Sequence, residues 1–353
     1  MTTQTHGLVC AHHHLYSSLA RGMPAGGAAA DFLAILKTIW WRLDIALDLD
    51  IIYWSAALGA AEAVMSGTTA IIDHHESPTA IEGSLDAIAA GCALVGVRTN
   101  LCYGVTDRWS DDQSLMPVGT TPRSMTDGAR RGLQECDRYL STGATGMVGV
   151  HAAFTCSDET LEAAADLALR HNTGVHIHVA EGDADANASM RLQSLASESW
   201  LLAHCVYLDQ DMPGTIVHNA RSNMNNAVGY AYPAKKNNRI VLGTDGIGAD
   251  MQEEARLAYA RLRESDISQT PETVWQWLQN AEQIFPEVCR DTVTWNYGSI
   301  DSPWHSAFTT TSAVTDVAVA GVPVVVDSQL VTCDLGEIRA KAAEATQRLF
   351  GRL

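Results

Sequence analysis

The sequence lacks the features of several common protein classes. It has no run of about 18 uninterrupted apolar residues, and its start, MTTQTHGLVC, has no basic region followed by an apolar one. Basic residues are few, with 23 Lys and Arg against 41 Asp and Glu, for a formal net charge of -18. We therefore expect neither a membrane span nor a nucleic-acid-binding surface, and we expect the protein in the cytoplasm.

The sequence also lacks a cysteine framework. It contains eight cysteines but no CxxC pair, so neither a thiolate zinc cluster nor a small disulfide scaffold is expected. We predict reduced and mostly buried thiols. With 353 residues, 46% of them hydrophobic and 18% charged, the chain suits one large globular domain with a small appendage.

Short apolar segments alternate with longer amphipathic ones, which predicts βα units around a parallel sheet. We place eight strands at residues 8–14, 68–74, 98–103, 147–152, 175–179, 200–204, 215–218 and 240–245. The predicted fold is α/β, a (β/α)8 TIM barrel. Its second half should be compact, because about ten residues separate the sixth and seventh strands, too few for a full crossover helix.

A different pattern follows the last predicted strand. Helices over 251–263 and 272–283 lead to an irregular stretch, and a β-hairpin at Val314–Val319 and Val322–Val326 precedes a helix over 335–349. We predict a barrel domain at residues 7–300 and a C-terminal appendage of hairpin and helix at 301–353.

Reactive side chains collect at the carboxyl ends of the predicted strands, where the active sites of TIM barrels lie. The first strand ends in His12 and His14, and the other ends carry polar residues too. They are Asp73, His74, Tyr103, His151, His178, Glu181, His204, His218 and Asp245. This pattern predicts an active site at that face of the barrel.

The HxH pair of the first strand is the first candidate for metal binding. Side chains alternate along a strand, so His12 and His14 share a face while His13 points the other way. Such a pair alone is more often structural, but His178 and Asp245 add an imidazole and a carboxylate. Four ligands of these types, with one position open, are typical of a catalytic site for zinc or a similar divalent ion.

Three further residues have two interpretations each. Glu181 is placed to reach a water molecule at the ion without ligating it, and the alternative is a surface glutamate at a helix start. His204 follows the apolar run 200–203, which favours the barrel mouth over a core position. His176 lies deeper than His178 on the same face, and for it a core role is at least as good an interpretation.

Five segments, GLVCAHHHLYSSLARGMP, HIHVAEG, LLAHC, VHNARSNMNN and LGTDG, carry a family resemblance. They resemble the amidohydrolase superfamily, in its branch of cytosine and guanine deaminases and triazine hydrolases. The similarity is stronger still to aminohydrolases associated with selenium and purine metabolism, through IWWRLDIALD, TTAIIDHHESP and SNMNNAVG. The resemblance runs over residues 7–251.

The resemblance implies a hydrolase with one divalent ion, zinc or iron in its place, held by His12, His14, His178 and Asp245. It implies proton-handling and water-orienting roles for Glu181 and His204, with Asp245 also accepting a proton. Other residues fall where such enzymes contact substrate, and they are His151, Asn219 and Asn223.

A single ion also agrees with the position of the lysines. Members with two ions bridge them by a carboxylated lysine on a barrel strand, whereas none of the lysines here lies on a predicted strand. They are Lys37, Lys235, Lys236 and Lys341.

The start of the chain departs from the family, because only six residues precede Gly7 where the family has a longer β-structure. The 314–326 hairpin resembles half of that small β-sandwich. Its usual partner strands are absent, so we expect either a truncated form or a half-sandwich that is completed otherwise.

The predicted barrel mouth indicates the substrate class. Neutral donors and acceptors and an aromatic face are contributed by His74, Tyr103, His151, Asn219 and Asn223. Arg108 and Arg221 are the nearby cations, and either can bind one carboxylate or carbonyl. We expect a compact aminated heterocycle, uncharged or singly anionic, rather than a nucleotide, whose phosphates would meet a chain of charge -18.

Three functions stay open on this reasoning. The first is an aminohydrolase that cleaves an exocyclic C–N bond of a small nitrogen heterocycle and releases ammonia. The second is a related C–N or C–halogen hydrolase acting on a triazine, an acyclic amidine or a urea. The third is an inactive metal-binding protein with a structural role. The position of Glu181 argues against it, because a non-catalytic protein has no need for this residue beside an open metal position. We expect a homo-oligomer, a dimer, with no nucleic-acid or membrane partner.

Overall fold

A parallel β-barrel forms the body of the protein. The computed structural model describes residues 2–110, 114–116 and 120–353. Its strands are β1 (Thr3–Thr5), β2 (Leu8–His14), β3 (Thr68–His75), β4 (Arg98–Val105), β5 (Val148–Ala152), β6 (Val175–Val179), β7 (Leu201–His204), β8 (Thr215–His218), β9 (Ile240–Leu242), β10 (Asp245–Gly246), β11 (Thr292–Trp295), β12 (Val314–Val319), β13 (Val322–Val326) and β14 (Gln329–Leu330).

The eight predicted barrel strands are confirmed, and the last of them is divided into β9 and β10. All neighbours are parallel, in the order β10-β2-β3-β4-β5-β6-β7-β8-β9. β9 pairs with β8, whereas β10 pairs with β2, where Asp245 lies opposite His13. Because β9 and β10 are consecutive pieces of one strand, the sheet closes into the TIM barrel and brings both ends of the predicted site together.

Helices cover the outside of this barrel unevenly. They are α1 (Phe32–Ile35), α2 (Trp41–Ala46), α3 (Leu49–Met65), α4 (Ser84–Val95), α5 (Asp127–Ser141), α6 (Asp158–Arg170), α7 (Ala188–Leu192), α8 (Ala220–Asn225), α9 (Met251–Ser265), α10 (Pro271–Asn280), α11 (Pro303–Phe308) and α12 (Leu335–Phe350). Side chains of Asp48, Thr126 and Ser157 cap the long helices α3, α5 and α6. Later, α7 has only five residues, and residues 205–214, all described, contain no helix. The compact second half is confirmed.

The interior of the barrel is apolar at the amino ends of its strands and polar at the carboxyl ends. Val9, Ile72 and Val217 belong to the apolar layer and are at most 2% exposed. Phe285 and Val288, from the segment after α10, pack against this layer and close the floor of the barrel. The closed floor leaves the carboxyl end as the face at which the barrel interior opens.

The C-terminal hairpin belongs to a larger antiparallel sheet, of order β1-β11-β12-β13-β14. Of the two expected alternatives, the half-sandwich is completed otherwise, since β1 and β11 pair beside the hairpin. These strands have three and four residues, too few to show an alternating pattern in the sequence. The sheet packs on the barrel side, with Trp295 against Gly67 and Val324 against Gly96. At Gly67, with φ of +90°, a Cβ would lie 2.8 Å from the Trp295 ring, so this contact requires glycine.

Other expectations concern the chain as a whole. The division at residue 300 remains a prediction, and the antiparallel sheet takes strands from both sides of that position. Within the described residues, no helix is both long enough and apolar enough to cross a membrane. The eight cysteines are free thiols, as predicted, with six buried, Cys333 partly exposed and Cys289 exposed.

Candidate metal centre and active site

A bulge in β2 turns the HxH pair into the barrel. Against β3, the register of β2 shifts between Cys10 and His13, so three residues of β2 oppose two of β3. The shift changes which alternate residues face inward, and it places His12 and His14 above the apolar layer that contains Val9 and Ala11. His13 turns to the neighbouring strand instead, where its Nδ1 donates to the Asp245 carbonyl oxygen at 2.6 Å.

Four buried side chains then converge on one point. One ligand atom from each of His12, His14, His178 and Asp245 lies within 4.8 Å of the others. His14 Nε2 is 3.0 Å from Asp245 Oδ1 and 3.2 Å from His178 Nε2, and His12 Nε2 is 3.4 Å from Asp245 Oδ1. The structure thus brings together all four residues that the sequence suggested as metal ligands.

Hydrogen bonds fix the orientation of each of the three imidazoles. Nδ1 of His14 donates to the His74 carbonyl at 2.5 Å, and Nδ1 of His178 donates to the His151 carbonyl at 2.8 Å. Nδ1 of His12 lies 2.8 Å from Nε2 of His176, so His12 donates to His176 when its proton is on Nδ1. In each case the Nε2 lone pair faces the centre, as metal ligands require. His176 therefore positions a ligand, and the core interpretation of this residue is incomplete.

The electrostatics of the four residues fit a divalent cation. Nε2 of His12 is buried and has no hydrogen-bond partner among the described residues. Burial lowers the pKa of His178 to about 3, so this imidazole is neutral. Burial opposes charge on His14 as well, but the Asp245 carboxylate raises the His14 pKa to about 9. A positive charge beside the buried Asp245 carboxylate is therefore favourable. A metal ion among neutral imidazoles would supply that charge.

A second group, Glu181 and His204, faces the same carboxylate. Nε2 of His204 is 3.6 Å from Glu181 Oε2 and 3.9 Å from Asp245 Oδ2. Its Nδ1 donates to Asn223 Oδ1 at 2.8 Å, which leaves Nε2 as an acceptor aimed at the centre. Burial raises the pKa of Glu181 to about 7, so its carboxyl group can hold and release a proton near neutral pH. Glu181 is buried and is not a surface helix residue.

The short helix α8 supports this group, and sequence reasoning missed two of its contacts. Ser222 Oγ donates to Asp245 Oδ2 at 2.5 Å, and Asn226 Nδ2 donates to Glu181 Oε1 at 3.4 Å. Asp245 and His204 have left-handed backbones, with φ of 60° and 70°, a strained conformation that aims side chains into sites. The polar run SNMNN directly after β8 was the available signal for these contacts.

The comparisons with known proteins agree with this geometry. A model of the amidohydrolase family matches residues 5–270. The chain belongs to the amidohydrolase family. It is 28% identical over 269 residues to a 5'-deoxyadenosine deaminase of Methanococcus vannielii, covering 69% of this chain and 59% of that protein. It is 29% identical over 263 residues to a 5-methylthioadenosine/S-adenosylhomocysteine deaminase of Thermoanaerobacter pseudethanolicus, covering 69% and 57%. The chain thus spans less than two thirds of these relatives.

Solved structures share the fold of this amidohydrolase. An adenosine deaminase from Xanthomonas campestris with bound zinc superposes with a TM-score of 0.79 at 19% identity, over 99% of this chain and 86% of that one. Atrazine chlorohydrolase from Arthrobacter aurescens TC1, complexed with zinc, gives a TM-score of 0.78 at 19% identity, over 98% and 88%. These similarities confirm the barrel and its antiparallel sheet.

The predicted substrate contacts divide into two groups. His151 lines the cavity above the metal ligands, with Nδ1 2.7 Å from Thr155 Oγ1. His74 lies deeper and is fully buried, donating from Nε2 to the Val150 carbonyl at 3.0 Å. Asn219 and Asn223 are buried behind His204, within 3.4 Å and 2.8 Å of its Nδ1. They orient His204 from outside the cavity.

Tyr103 lies on the other side of the sheet. In the register of β3 and β4, His74 pairs with Cys102, and Tyr103 pairs with His75, whose side chain also faces outward. The Tyr103 ring packs against Gly132 of α5, where a Cβ would lie 2.9 Å from the ring. It therefore does not line the cavity above the metal ligands, and it stands in the layer between barrel and helices.

Both cations expected at the barrel mouth are already paired. Arg108 is 3% exposed and donates to the carboxylates of Asp44 and Glu76. Its guanidinium also lies 5.2 Å from the centre of the Trp41 ring. Arg221 donates to the carbonyls of Thr244 and Gly246 at 3.0 and 2.9 Å. Neither Arg108 nor Arg221 is among the residues that line the cavity above the metal ligands, so neither is placed there to bind a substrate carboxylate.

The segment that contains α1 and α2 covers the metal ligands. Its apolar side chains form one wall of the cavity, and carboxyl groups and further aromatic rings form the rest. The lining includes Tyr16, Phe32, Leu36, Trp40, Trp41, Asp44, Glu76, His151, Phe154, Glu181, Asp185 and Asn226. A flat, uncharged ring with polar edges suits such a lining, because rings stack on it and its acidic groups accept hydrogen bonds.

Proposed function

We propose that this amidohydrolase is a metal-dependent deaminase. It hydrolyses the bond between an exocyclic amino group and a small nitrogen heterocycle, releases ammonia, and uses one zinc ion, with iron as the alternative. The observation that carries the proposal is the position of the buried Glu181 carboxyl group, whose pKa is raised to about 7, in the cavity above the four converging metal ligands.

The residues of the site divide the work of such a reaction. His12, His14, His178 and Asp245 would hold the zinc ion, which would supply Lewis acidity and lower the pKa of a bound water to about 7. Glu181 in its protonated form donates to the ring nitrogen next to the carbon under attack. His204 accepts a hydrogen bond at Nε2 and so orients the attacking water, since its Nδ1 proton is committed to Asn223. Asp245 accepts a proton from the attacking water and passes it to the departing amine, which leaves as ammonia.

We infer an aromatic amine without phosphate as the substrate. The relatives are named for 5'-deoxyadenosine and 5-methylthioadenosine, which fits a purine-like ring in the aromatic cavity. Pyrimidine-like amines are the second candidates. The carboxyl groups of Asp44, Glu76 and Asp185 line this cavity, and none of its described lining residues is a lysine or an arginine. In their ionised forms these groups repel phosphate, so free bases or uncharged nucleosides should be preferred over nucleotides.

Assays of the released product distinguish the deaminase from the alternative functions. The zinc-loaded protein is assayed for ammonia release with free bases, nucleosides, nucleotides, pterins and aminotriazines. Chloride release without ammonia from a chlorotriazine would indicate the C–halogen hydrolase. No turnover of any member, with one ion bound, would favour the inactive metal-binding protein. A preference for nucleotides would contradict the inferred substrate class.

Glu181→Gln tests the proton-transfer role. This variant should retain its metal, because Glu181 is not among the four converging ligands, and lose about 10² to 10⁴ in turnover. Glu162→Gln, on the exposed side of α6, is the matched control and should keep full activity. Unchanged activity in Glu181→Gln would refute the role.

We further propose that the protein is a homodimer, which sedimentation of the purified protein tests, and that it is cytoplasmic.

A further inference from the structure

A second group of metal-ligating side chains lies at the opposite end of the barrel. His6 stands in the connection between β1 and β2, just before the amino end of the first barrel strand. Glu282 belongs to the helical turn Ala281–Gln283, and Cys289 to the next turn, Pro286–Arg290. Both turns belong to the segment that closes the barrel floor. The group is therefore separated from the active site by the apolar layer of the barrel interior.

The three side chains are spaced as ligands of one small ion. Nδ1 of His6 is 3.3 Å from Glu282 Oε1, and Sγ of Cys289 is 3.6 Å from Glu282 Oε2. One ligand atom of each residue lies within 4.8 Å of the others. Tetrahedral zinc, with bonds of about 2.0 Å to N and O and about 2.3 Å to S, places its N and O ligands about 3.3 Å apart and its S and O ligands about 3.5 Å apart. The observed N–O and S–O separations have these lengths, one to each oxygen of the Glu282 carboxylate.

The chemistry of the three donors is also that of zinc. Imidazole nitrogen, carboxylate oxygen and thiolate sulfur together are typical ligands of zinc, whereas magnesium and calcium prefer oxygen alone. The thiol now donates its proton to the Glu282 carboxylate, and a cation would displace that proton. His6 and Cys289 are exposed, so an ion reaches the group without any movement of the barrel floor.

A wide cavity of about 530 Å³ adjoins the group and leaves room for further ligands of the ion. Trp275 and Leu278 from α10 form one side of it, and Arg290 and Asp301 lie at others. Three protein ligands beside open space resemble a zinc site with an open position rather than a closed structural one.

We propose that His6, Glu282 and Cys289 form a second zinc site, on the floor side of the barrel. The ion ties the connection between β1 and β2 to the segment that closes the floor. It thereby links the antiparallel sheet, through β1, to the barrel.

Cobalt distinguishes the two sites because only the proposed one offers a thiolate. The active-site ligands are three imidazoles and a carboxylate, so cobalt there gives no sulfur-to-metal charge-transfer absorption. The protein is first loaded with one equivalent of zinc and then titrated with Co²⁺ alone. We expect a near-ultraviolet charge-transfer band that saturates at one further equivalent and disappears on addition of excess zinc.

Variants assign the band to the three residues. Cys289→Ser and His6→Gln should each abolish it, and Cys333→Ser, which removes the other cysteine that is not buried, should leave it unchanged. Deaminase turnover checks that the Cys289→Ser protein is folded. A band that persists in Cys289→Ser, or no band in the wild-type protein, overturns the proposal.

The rate of cysteine alkylation in the wild-type protein provides a second test of the site. With the active site already loaded, further zinc should slow alkylation of Cys289 at least tenfold, while alkylation of Cys333 keeps its rate. Equal rates for Cys289 with and without the added zinc also overturn the proposal. Either failure leaves the deaminase proposal intact, because none of the three residues contacts the active site.

Discussion

Replacement of His176 by leucine tests how the barrel interior prepares the metal site. The His12 ring is the first member of a buried chain of donors. His12 Nδ1 donates to His176 Nε2 at 2.8 Å, His176 Nδ1 lies 3.7 Å from Cys102 Sγ, and that thiol donates to the Asp73 carbonyl at 3.3 Å. All bonds run in one direction and end on a backbone carbonyl, so the proton of His12 is fixed on Nδ1 and its Nε2 lone pair is free for the ion.

The position of His176 determines how much zinc affinity the His176→Leu variant should lose. His176 contacts the ligand His12 but does not reach the ion, so His176→Leu removes an orienting bond and no ligand. Loss of such a bond lowers metal affinity by about 10- to 100-fold. This corresponds to about 1.4 to 2.8 kcal/mol of binding free energy. Loss of His12 itself would remove a ligand and should cost more.

Competition with a chromophoric chelator measures the zinc affinity of wild type and variant. His218→Leu is the matched control, since His218 is also a buried histidine at the end of a barrel strand but faces the rings of Tyr230 and Trp277. It should leave zinc affinity unchanged. A zinc affinity of His176→Leu within twofold of wild type, with His12→Ala strongly weakened, would refute the orienting role of the chain.

Further predictions concern stability. Arg108→Met leaves the Asp44 and Glu76 carboxyl groups buried without their cation. It should lower the free energy of unfolding, measured by urea titration, by about 3 to 5 kcal/mol. A loss below about 1 kcal/mol, which is typical of surface pairs, would contradict this. Burial lowers the pKa of His218 from 6.5 to about 3, so the unfolded chain binds one more proton between these values. Stability should therefore fall as pH falls from 6.5 towards 3, by up to about 1.4 kcal/mol per pH unit, and His218→Leu should reduce this slope; equal slopes would exclude the effect. Amides of β12 that bond to β11 and β13 should exchange slowly with deuterium, and complete exchange within seconds would be inconsistent with the five-stranded sheet.

The barrel and its metal ligands could be predicted from the sequence because both depend on local patterns. Apolar runs with polar ends gave eight strand positions within a few residues, and a polar residue at a strand end must face either the barrel mouth or the helices. The HxH spacing in β2 was sufficient to place two imidazoles together, although the bulge that turns them inward was not visible.

Features that depend on distant pairing could not be predicted in this way. Tyr103 and His74 both end predicted strands, but which alternate residues face inward depends on the register of β3 and β4, and the register is set by the closed sheet. The partners of Arg108 are 64 and 32 residues away along the chain, so nothing near Arg108 in the sequence shows that its charge is balanced. Similarly, β1 and β11 become a sheet only because residues 290 positions apart meet.

The pairing of Arg108 has a consequence for selectivity that the net charge alone does not give. Burial raises the pKa of Asp44 to about 8, and it also raises that of Glu76, so one guanidinium is shared by two carboxyl groups that ionise reluctantly. A second anion brought beside this cluster would compete with both carboxyl groups for the same guanidinium. Each carboxyl group that is ionised would also repel the anion, at about 4 kcal/mol per pair of unit charges 4 Å apart in a partly polar interior. A neutral aromatic amine meets no such penalty, since it can donate to these carboxylates and stack on Trp40, Trp41 or Phe154. The same cluster that occupies Arg108 therefore supports the proposed preference for uncharged rings over phosphorylated ones.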